Sequence, residues 1–223
     1  HRRRAAACET WRSEVIGDAV QSSFAEALRG QNFRIAGYPR IEPKEASTDG
    51  LTGLPNRRTL EAQIGELYER DTPFVMVLAD LDRFKLLNDN FGHEVGDKAL
   101  QLFAGVLRDN VRGNDVVARL GGEEFVLVYP NMSVEISLEA IDRVRAALAR
   151  ALDASTVPSF TCSFGIAHST VAHDGDAVLR VADAGLLQAK DLGGDQAVVA
   201  DADLAATIFA DDAPLRARRD QRP

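Results

Sequence analysis

The feature that most restricts the fold of this chain is a pair of adjacent glycines, Gly121 and Gly122, between two runs of β-forming residues at 116–120 and 125–129. Adjacent glycines accept the positive φ angles of a tight turn, so the pattern predicts a β-hairpin. Helical periodicity precedes and follows the hairpin. A hairpin between helices requires antiparallel pairing, which argues against an all-parallel sheet and predicts an α+β fold.

Further elements follow from hydrophobic periodicity between Ser47 and about residue 200. The short apolar run 74–79 stops at Asp80, a pattern typical of a buried strand. Alternating residues at 160–166 predict another strand, and residues 196–200 a last one. Apolar residues at helical spacing predict helices around residues 60–68, 95–106, 141–152 and 179–186.

Composition limits the partners and the compartment. The chain of 223 residues carries 26 Lys and Arg against 34 Asp and Glu, a net charge of −8. This balance argues against general binding to nucleic acids or anionic membranes, but it leaves room for a small basic nucleotide pocket. Two distant cysteines, Cys8 and Cys162, exclude a disulfide framework and favour a reducing compartment. Cys162 alternates with apolar neighbours, so we expect a buried, inert thiol.

Three carboxylates stand where predicted strands begin or end. Asp80 follows the apolar run 74–79, and a carboxylate there needs a compensating cation or hydrogen bonds. Glu123 and Glu124 leave the glycine turn into the next strand with opposite side-chain directions, so Glu123 would converge with Asp80 if the two strands are neighbours. Carboxylate oxygens suit Mg²⁺, which takes its other ligands from water and substrate phosphates and supports nucleotidyl transfer. The alternative is that all three are solvated turn residues.

Several segments resemble one known family. Residues 121–125, GGEEF, resemble the signature of the GGDEF family, the bacterial diguanylate cyclases. Residues 48–58, TDGLTGLPNRR, resemble the family's opening motif, and residues 80–93, DLDRFKLLNDNFGH, its nucleotide motif. Residues 96–97 and 163–167 fit as well, so the resemblance covers about residues 47–200.

The resemblance implies a fold like a polymerase palm or a nucleotide cyclase. Such a fold has a central, mostly antiparallel sheet flanked by helices, here with an N-terminal helical extension. The implied activity is condensation of two GTP into cyclic di-GMP with release of pyrophosphate. Two chains would meet face to face, each with one GTP, so a twofold homodimer belongs to the mechanism.

The resemblance also implies a cofactor and the residues that hold it. Mg²⁺ is the implied ion, with Mn²⁺ as an alternative. Its ligands would be Asp80, the backbone carbonyl of Leu81, and Glu123. Glu124 would be the carboxylate tied to activation of the 3′-hydroxyl.

Substrate-binding residues are implied in the same way. Asn88 and Asp97 would read the guanine edge, because a carboxylate accepts hydrogen bonds from N1–H and the 2-amino group, a pair that adenine lacks. Lys85 and Lys190 would neutralise phosphates as mobile charges. The other implied substrate contacts are Phe84, His93 and Gly122. His93 has an ordinary structural role as its alternative.

An RxxD motif, Arg112 to Asp115, precedes the predicted hairpin. In this family an RxxD at that position forms the product-inhibition site, where the arginine clamps a phosphate or guanine of cyclic di-GMP. Arg143, on the following predicted helix, falls where a second arginine of that site is often found. The alternatives are an exposed turn ion pair for Arg112 and Asp115, and a solvated helix face for Arg143.

The chain departs from the family pattern near Lys190. Leu187 stands where the family usually has tyrosine, and residues 193–195, Gly-Gly-Asp, stand where it usually has Gly-Arg-Asn. The missing arginine is a phosphate ligand, so we expect a weaker cyclase, with Arg180 or a residue of the partner chain as a candidate replacement. Both signature glutamates survive, which favours an enzyme over a receptor for cyclic di-GMP or GTP, or over a dimerisation module.

The expected domain organisation has three parts. Residues 47–201 form the GGDEF domain and residues 202–223 a polar C-terminal tail. Residues 1–46 form a helix and linker, either a signalling or docking segment or the remnant of an upstream domain. Because the chain begins with His1 rather than Met, we expect an upstream sensor or membrane segment to be missing from it. The domain is expected on the cytoplasmic side.

Overall fold

The structure is a computed structural model that describes residues 47–172, 174–200 and 204–206. The predicted N-terminal helix and linker, residues 1–46, lie outside the described residues, as does most of the predicted tail at 202–223. Those expectations stay predictions. The described segments contain the hairpin, the motifs and every candidate site residue.

Helices and strands follow one another along the described segments, with two helices in succession and then the two strands of the hairpin. In chain order they are α1 (Arg57–Glu69), β1 (Phe74–Leu81), α2 (Phe84–Phe91), α3 (His93–Asn110), β2 (Val116–Gly121), β3 (Glu124–Pro130), α4 (Val134–Asp153), β4 (Cys162–His168), α5 (Gly175–Asp191) and β5 (Ala197–Val199). The hairpin, strands and helices predicted between residues 47 and 200 are thus confirmed, and α2 is an added short helix. No helix in these segments has the length and apolar character needed to cross a membrane.

The strands form one sheet in the order β2-β3-β1-β4-β5. The pairs β2–β3, β3–β1 and β1–β4 are antiparallel, whereas β4 and β5 are parallel. The predicted α+β fold with a mostly antiparallel sheet is therefore confirmed. Because the hairpin strand β3 pairs with β1, the turn at Gly121-Gly122 lies beside the end of β1 that carries Asp80.

Strand β1 is the centre of the core, and all eight of its residues are buried. Its side chains alternate between the two faces of the sheet. Val75 and Val77 pack in one cluster with residues of α3 and α4, whereas Met76 and Leu78 pack in a second cluster with residues of α1 and α5. Burial on both faces explains why this strand is a continuous apolar run rather than an alternating one.

Helix α5 packs closely on β4 at Gly165. A Cβ atom at this position would lie 1.9 Å from the carbonyl oxygen of Ala182 and 2.3 Å from the amide nitrogen of Leu186. Only glycine therefore permits this contact. The contact fixes α5 against the sheet, and the last turn of α5 carries Lys190 to the end of β1.

Candidate active site

The candidate site lies at the end of β1, where the strand carries a buried carboxylate. Asp80 is 6% exposed and lies opposite Glu124 of β3 and Ser163 of β4 in the strand registers. The ammonium nitrogen of Lys190 lies 2.7 Å from Oδ1 of Asp80. Lys190 is therefore the compensating cation that the sequence requires for this buried acid.

The electrostatics of the site concentrate negative charge around Asp80. Burial raises the pKa of Asp80, the hydrogen bond and charge of Lys190 oppose this, and the carboxylates of Glu123 and Glu124 raise the pKa further. All three predicted carboxylates are thus within electrostatic range of one another. A buried acid surrounded by like charges favours the binding of a cation.

The donor chemistry of the site fits a hard divalent cation. In the described segments, no group of three or more His, Cys, Asp and Glu side chains is close enough to hold a metal ion by itself. The predicted ligands are a different set, namely two carboxylates, Asp80 and Glu123, and the backbone carbonyl of Leu81. Mg²⁺ bound by few protein oxygens keeps coordination positions for water and phosphate oxygens. The site therefore fits an ion that is shared with a phosphorylated substrate.

The hairpin turn is held by Arg119, to which the sequence analysis assigned no role. Its Nε and Nη2 donate to the carbonyl oxygen of Gly122 at 3.0 and 2.6 Å, and its Nη1 donates to Oδ1 of Asp49 at 2.9 Å. The backbone N–H and the hydroxyl of Thr52 also donate to Asp49 Oδ1. The opening motif is thereby tied to the glycine turn.

The sequence places both residues of this contact near recognisable motifs but gives no signal for their pairing. Asp49 lies inside the opening motif, and Arg119 precedes the glycine pair by two positions. Neither residue alone predicts a partner, because an arginine on a hairpin strand and an acid in a turn are both ordinary surface residues. Their pairing depends on the isolated bridge that places Asn56 beside Arg119.

The two predicted guanine-reading residues lie on neighbouring helices. Asn88 belongs to α2 and Asp97 to the first turns of α3. The side-chain oxygen of Asn88 is buried and has no hydrogen-bond partner within the described segments. A Cβ on Gly96 would lie 1.9 Å from that oxygen, so glycine makes room for it. A buried amide without a partner favours a ligand that supplies one.

A cavity of about 740 Å³ lies between α2 and the loop that follows α5. Lys190, Arg83 and residues 193–195 are among the residues that line it. Its volume is within the range of small-molecule sites. Helix α2 begins beside this cavity without a side-chain cap, so its first N–H groups are available to an anion.

The remaining predicted substrate contacts lie around the start of α2 and the hairpin. Phe84 and Lys85 are the first two residues of α2, half-buried and exposed respectively. His93 is the exposed first residue of α3, and Gly122 lies at the exposed turn with a φ of +53°. Cys162 is buried as predicted, and burial raises the pKa of its thiol well above the ordinary value, which disfavours the reactive thiolate.

The loop after α5 is anchored at two points. The carboxylate of Asp82 accepts hydrogen bonds from the hydroxyls of Thr161 and Ser163, each at 2.6 Å, and from the backbone N–H of Asp195 at 2.9 Å. Arg145 of α4 donates to the carbonyl oxygen of Asp195 at 2.5 Å and to its Oδ1 at 3.0 Å. The extra negative charge at Asp195 is therefore paired.

Arg180, the expected replacement for the missing arginine, lies elsewhere. It lines a different cavity, together with Tyr68 of α1 and Asp174. Arg180 precedes Lys190 by ten positions on α5, which is roughly 15 Å along a helix. The expectation that Arg180 compensates at Lys190 is therefore wrong.

The RxxD residues lie at the other end of the hairpin, away from Asp80. The carboxylate of Asp115 accepts a hydrogen bond from the backbone N–H of Arg112 at 2.8 Å. Residues 112–115 and 130–132 line a cavity of about 330 Å³. Burial raises the pKa of Tyr129, the nearby charge of Asp115 adds to this, and Arg143 opposes it. The structure thus brings Arg112, Asp115 and Arg143 to one region.

The sequence matches the model of one protein family over most of its length. The family described as "Diguanylate cyclase, GGDEF domain" matches residues 46–196. The chain therefore belongs to the GGDEF domain family, and the resemblance of its motifs is confirmed.

Curated relatives carry the same domain within longer proteins. The diguanylate cyclase DgcP of Pseudomonas aeruginosa is 40% identical over 163 residues, which cover 70% of this chain and 24% of DgcP. The response regulator PleD of Caulobacter vibrioides is 39% identical over 159 residues, which cover 66% of this chain and 35% of PleD. The chain thus spans about a quarter to a third of the length of these relatives.

Solved structures share the fold. The GGDEF domain of DgcB from Caulobacter crescentus, in complex with c-di-GMP, matches with a TM-score of 0.61 and 28% identity, covering 70% of this chain and 97% of that one. The diguanylate cyclase SiaD of P. aeruginosa, in complex with its activator SiaC, matches with a TM-score of 0.66 and 30% identity, covering 89% and 72%. An active GGEEF domain of a diguanylate cyclase from Vibrio cholerae matches with a TM-score of 0.59 and 27% identity, covering 66% and 97%.

Proposed function

We propose that this chain is a Mg²⁺-dependent diguanylate cyclase, which condenses two GTP into cyclic di-GMP as a cytoplasmic homodimer. The observation that carries the proposal is the buried Asp80 carboxylate, paired with Lys190 and opposite Glu124 beside the glycine turn. The V. cholerae neighbour is described as active with a GGEEF motif, and residues 121–125 of this chain have the same letters. The departures near Lys190 leave this set of residues intact, which supports a weakened but active enzyme.

The guanine of GTP would bind between α2 and α3. Asn88 offers a buried side-chain oxygen without a partner, and the 2-amino group of guanine supplies the missing donor. Asp97, exposed one residue after Gly96, would accept from N1–H and from the same amino group. Adenine lacks this pair of donors, so GTP is preferred over ATP.

The triphosphate would bind at the uncapped start of α2. Free backbone N–H groups at a helix N-terminus favour anions through both hydrogen bonding and the helix dipole. Lys85 is exposed on the first turn, and Lys190 lines the adjacent cavity. Both ammonium groups would neutralise phosphate charge.

The reaction joins two nucleotides twice. The 3′-oxygen of one GTP forms a bond to the α-phosphorus of the other while the bond to pyrophosphate breaks, and the reciprocal step closes the ring. Asp80, Glu123 and the Leu81 carbonyl would hold Mg²⁺, which when bound supplies charge neutralisation and activation of the hydroxyl. Glu124 would accept the proton of the 3′-hydroxyl.

A second chain is needed because each chain supplies one candidate nucleotide site. Alignment of two bound nucleotides in a twofold dimer converts the reaction into an effectively intramolecular one. Product would bind at Arg112, Asp115 and Arg143, where a guanidinium can clamp a phosphate with two parallel hydrogen bonds. We infer that this second site inhibits the enzyme.

The test is incubation of the purified chain with GTP and Mg²⁺, followed by chromatography of the products. We expect cyclic di-GMP and pyrophosphate from the wild type, and at least about a hundredfold lower rate for Glu123→Gln because a metal ligand is lost. Glu139→Gln, an exposed glutamate of α4, serves as the matched control and should retain the wild-type rate. Absence of product from a wild-type chain that binds GTP would refute the proposal.

A receptor for cyclic di-GMP is the second candidate. The observation that favours it is the cavity of about 330 Å³ at the RxxD turn, which is separate from the Asp80 site. A receptor would bind cyclic di-GMP with wild-type affinity after Glu123→Gln and would form no product from GTP. Binding of cyclic di-GMP is expected of both functions, so formation of product from GTP by the wild type is what separates the enzyme from the receptor.

A further inference from the structure

The phosphate end of the proposed site has one cation fewer than the family pattern. Gly194 stands where that pattern has arginine, and Lys190 is already paired with Asp80 at 2.7 Å. A triphosphate carries several negative charges, and Lys85 together with a Lys190 shared with Asp80 neutralises them incompletely. Besides Lys190, the cationic residue that lines the cavity beside α2 is Arg83.

Within the described segments, the Arg83 guanidinium has no ion-pair partner. The two acids that line the same cavity have other partners, because Asp82 is hydrogen-bonded to Thr161 and Ser163, and Asp195 is paired with Arg145. Arg83 itself is exposed. Its side chain is therefore available to a ligand in the cavity.

The backbone places Arg83 at an anion-binding end of a helix. Arg83 has a φ of +54° and a ψ of +31°, the left-handed conformation, and directly precedes α2 as its N-cap residue. It supplies no side-chain cap to the first N–H groups of α2. A phosphate bound there could accept hydrogen bonds both from the guanidinium and from the free backbone N–H groups of the helix.

We propose that Arg83 is a phosphate-binding residue of this site and that it replaces the arginine missing at position 194. This inference rests on the proposed function, because it assigns a ligand to the GTP triphosphate. A planar guanidinium offers a phosphate two parallel hydrogen bonds in a fixed fork, whereas the ammonium group of Lys190 acts as a point charge.

The loop geometry explains why the cation is not at position 194. Gly194 has a φ of +80°, and a Cβ there would lie 3.1 Å from both Cγ and Oδ1 of Asp82. Asp82 cannot move away easily because two hydroxyls and the Asp195 N–H hold its carboxylate. A side chain at 194 would therefore strain the loop, whereas Arg83 already lines the cavity.

The experiment compares nucleotides that differ only in phosphate number. The probes are 3′-deoxy-GTP, which cannot condense because it lacks the attacking hydroxyl, and 3′-deoxy-GMP. Calorimetry would measure both affinities for the wild type, Arg83→Gln, Arg83→Lys and Arg150→Ala. Arg150 is an exposed arginine of α4 and is the matched control.

We expect Arg83→Gln to weaken binding of the triphosphate about tenfold and to leave binding of the monophosphate unchanged. The expected loss is that of one charge-assisted hydrogen-bonded contact, reduced because Arg83 is exposed to solvent. Arg83→Lys should recover part of the loss, and Arg150→Ala should behave as the wild type. If Arg83→Gln keeps the wild-type preference for triphosphate, or weakens both nucleotides equally, the assignment of Arg83 is wrong. A wild type without any preference for triphosphate would instead overturn the proposed GTP site as a whole.

Discussion

At the scale of single residues, Asp80 shows a conflict between stability and function. Its carboxylate is 6% exposed, and its pKa is raised chiefly by burial, despite the ion pair with Lys190. The ionised side chain is therefore less favourable in the folded protein than in the unfolded chain. A cation bound at the site would offset this unfavourable free energy of the ionised carboxylate. The metal-free fold is therefore less stable than it would be without the acid, as is common at functional sites.

Asp80→Asn should therefore stabilise the metal-free fold at neutral pH. An acid with a raised pKa in the folded state loses stability as the pH rises from its ordinary value of 3.8 through the raised value, and the loss persists above it. We expect the melting temperature at pH 7 with a chelator to rise by about 2 °C. Cyclic di-GMP synthesis should be lost in the same variant.

Thermal unfolding at pH 7 and pH 3 provides the measurement. The advantage of Asp80→Asn should shrink at pH 3, where the wild-type carboxyl is protonated. Asp183→Asn, an exposed aspartate of α5, is the control and should leave the melting temperature unchanged. A variant that melts lower than the wild type at pH 7 would show that the pairing with Lys190 outweighs the cost of burial.

At the scale of secondary-structure elements, the β2–β3 hairpin depends on one arginine. Arg119 holds the Gly122 carbonyl oxygen with two N–H groups and reaches Asp49 with a third. The Arg119 and Asp49 side chains are 10% and 25% exposed, so the ion pair is less screened than a surface pair. We infer that this contact keeps the turn, and with it Glu123 and Glu124, in position beside Asp80.

Arg119→Lys should lower the synthesis rate about tenfold while the protein remains folded. Lysine keeps the charge but loses the fork that contacts both Gly122 and Asp49, so the turn is held less firmly. Initial rates and circular dichroism measure the two effects. Arg70→Lys, an exposed arginine at the end of α1, is the control. Equal rates for Arg119→Lys and the wild type would mean that the turn holds its position without the clamp.

The same ion pair predicts a dependence on acidity. Burial raises the pKa of Asp49, but hydrogen bonds from Thr52 and Arg119 outweigh it, so that the pKa is lowered from its ordinary value of 3.8. The pair therefore contributes stability above pH 3.8, and this contribution is lost as the pH falls through the lower folded value. We therefore expect Asp49→Asn to unfold at a higher pH during acid titration than the control variant Arg70→Lys. Circular dichroism at decreasing pH measures the two unfolding midpoints.

Most of the sheet follows from the sequence because its signals are local. The glycine pair sets the hairpin, and the apolar run of β1 is buried on both faces of the sheet. Helix α2 gives no separate periodicity, since it has eight residues and only Gly92 separates it from α3. The partners of Asp82 and Asp195 lie 50 or more positions away along the chain, and no local pattern encodes such contacts.

At the scale of the whole molecule, the hairpin joins two candidate nucleotide sites. The turn of the hairpin, with Gly122 and Glu123, lies beside Asp80. The opposite end of the hairpin, here called its open end, is where β2 begins after Asp115 and β3 ends at Pro130. Seven residues of β3 separate the ends by roughly 20 Å. Bound product at the open end would therefore not occupy the substrate cavity. Inhibition by product would act without competition for that cavity.

Arg112→Ala should consequently remove product inhibition without a large change in the initial rate. Arg112 is exposed, and its hydrogen bond to Asp115 comes from the backbone, so its side chain can be removed with the turn intact. Progress curves at increasing concentrations of cyclic di-GMP should show an inhibition constant that is higher by roughly tenfold or more. The reason is the loss of the charge-assisted hydrogen bonds from the Arg112 guanidinium. Arg150→Ala should be inhibited like the wild type. Unchanged inhibition of Arg112→Ala, or an equal fall in initial rate, would mean that this turn is structural rather than a product site.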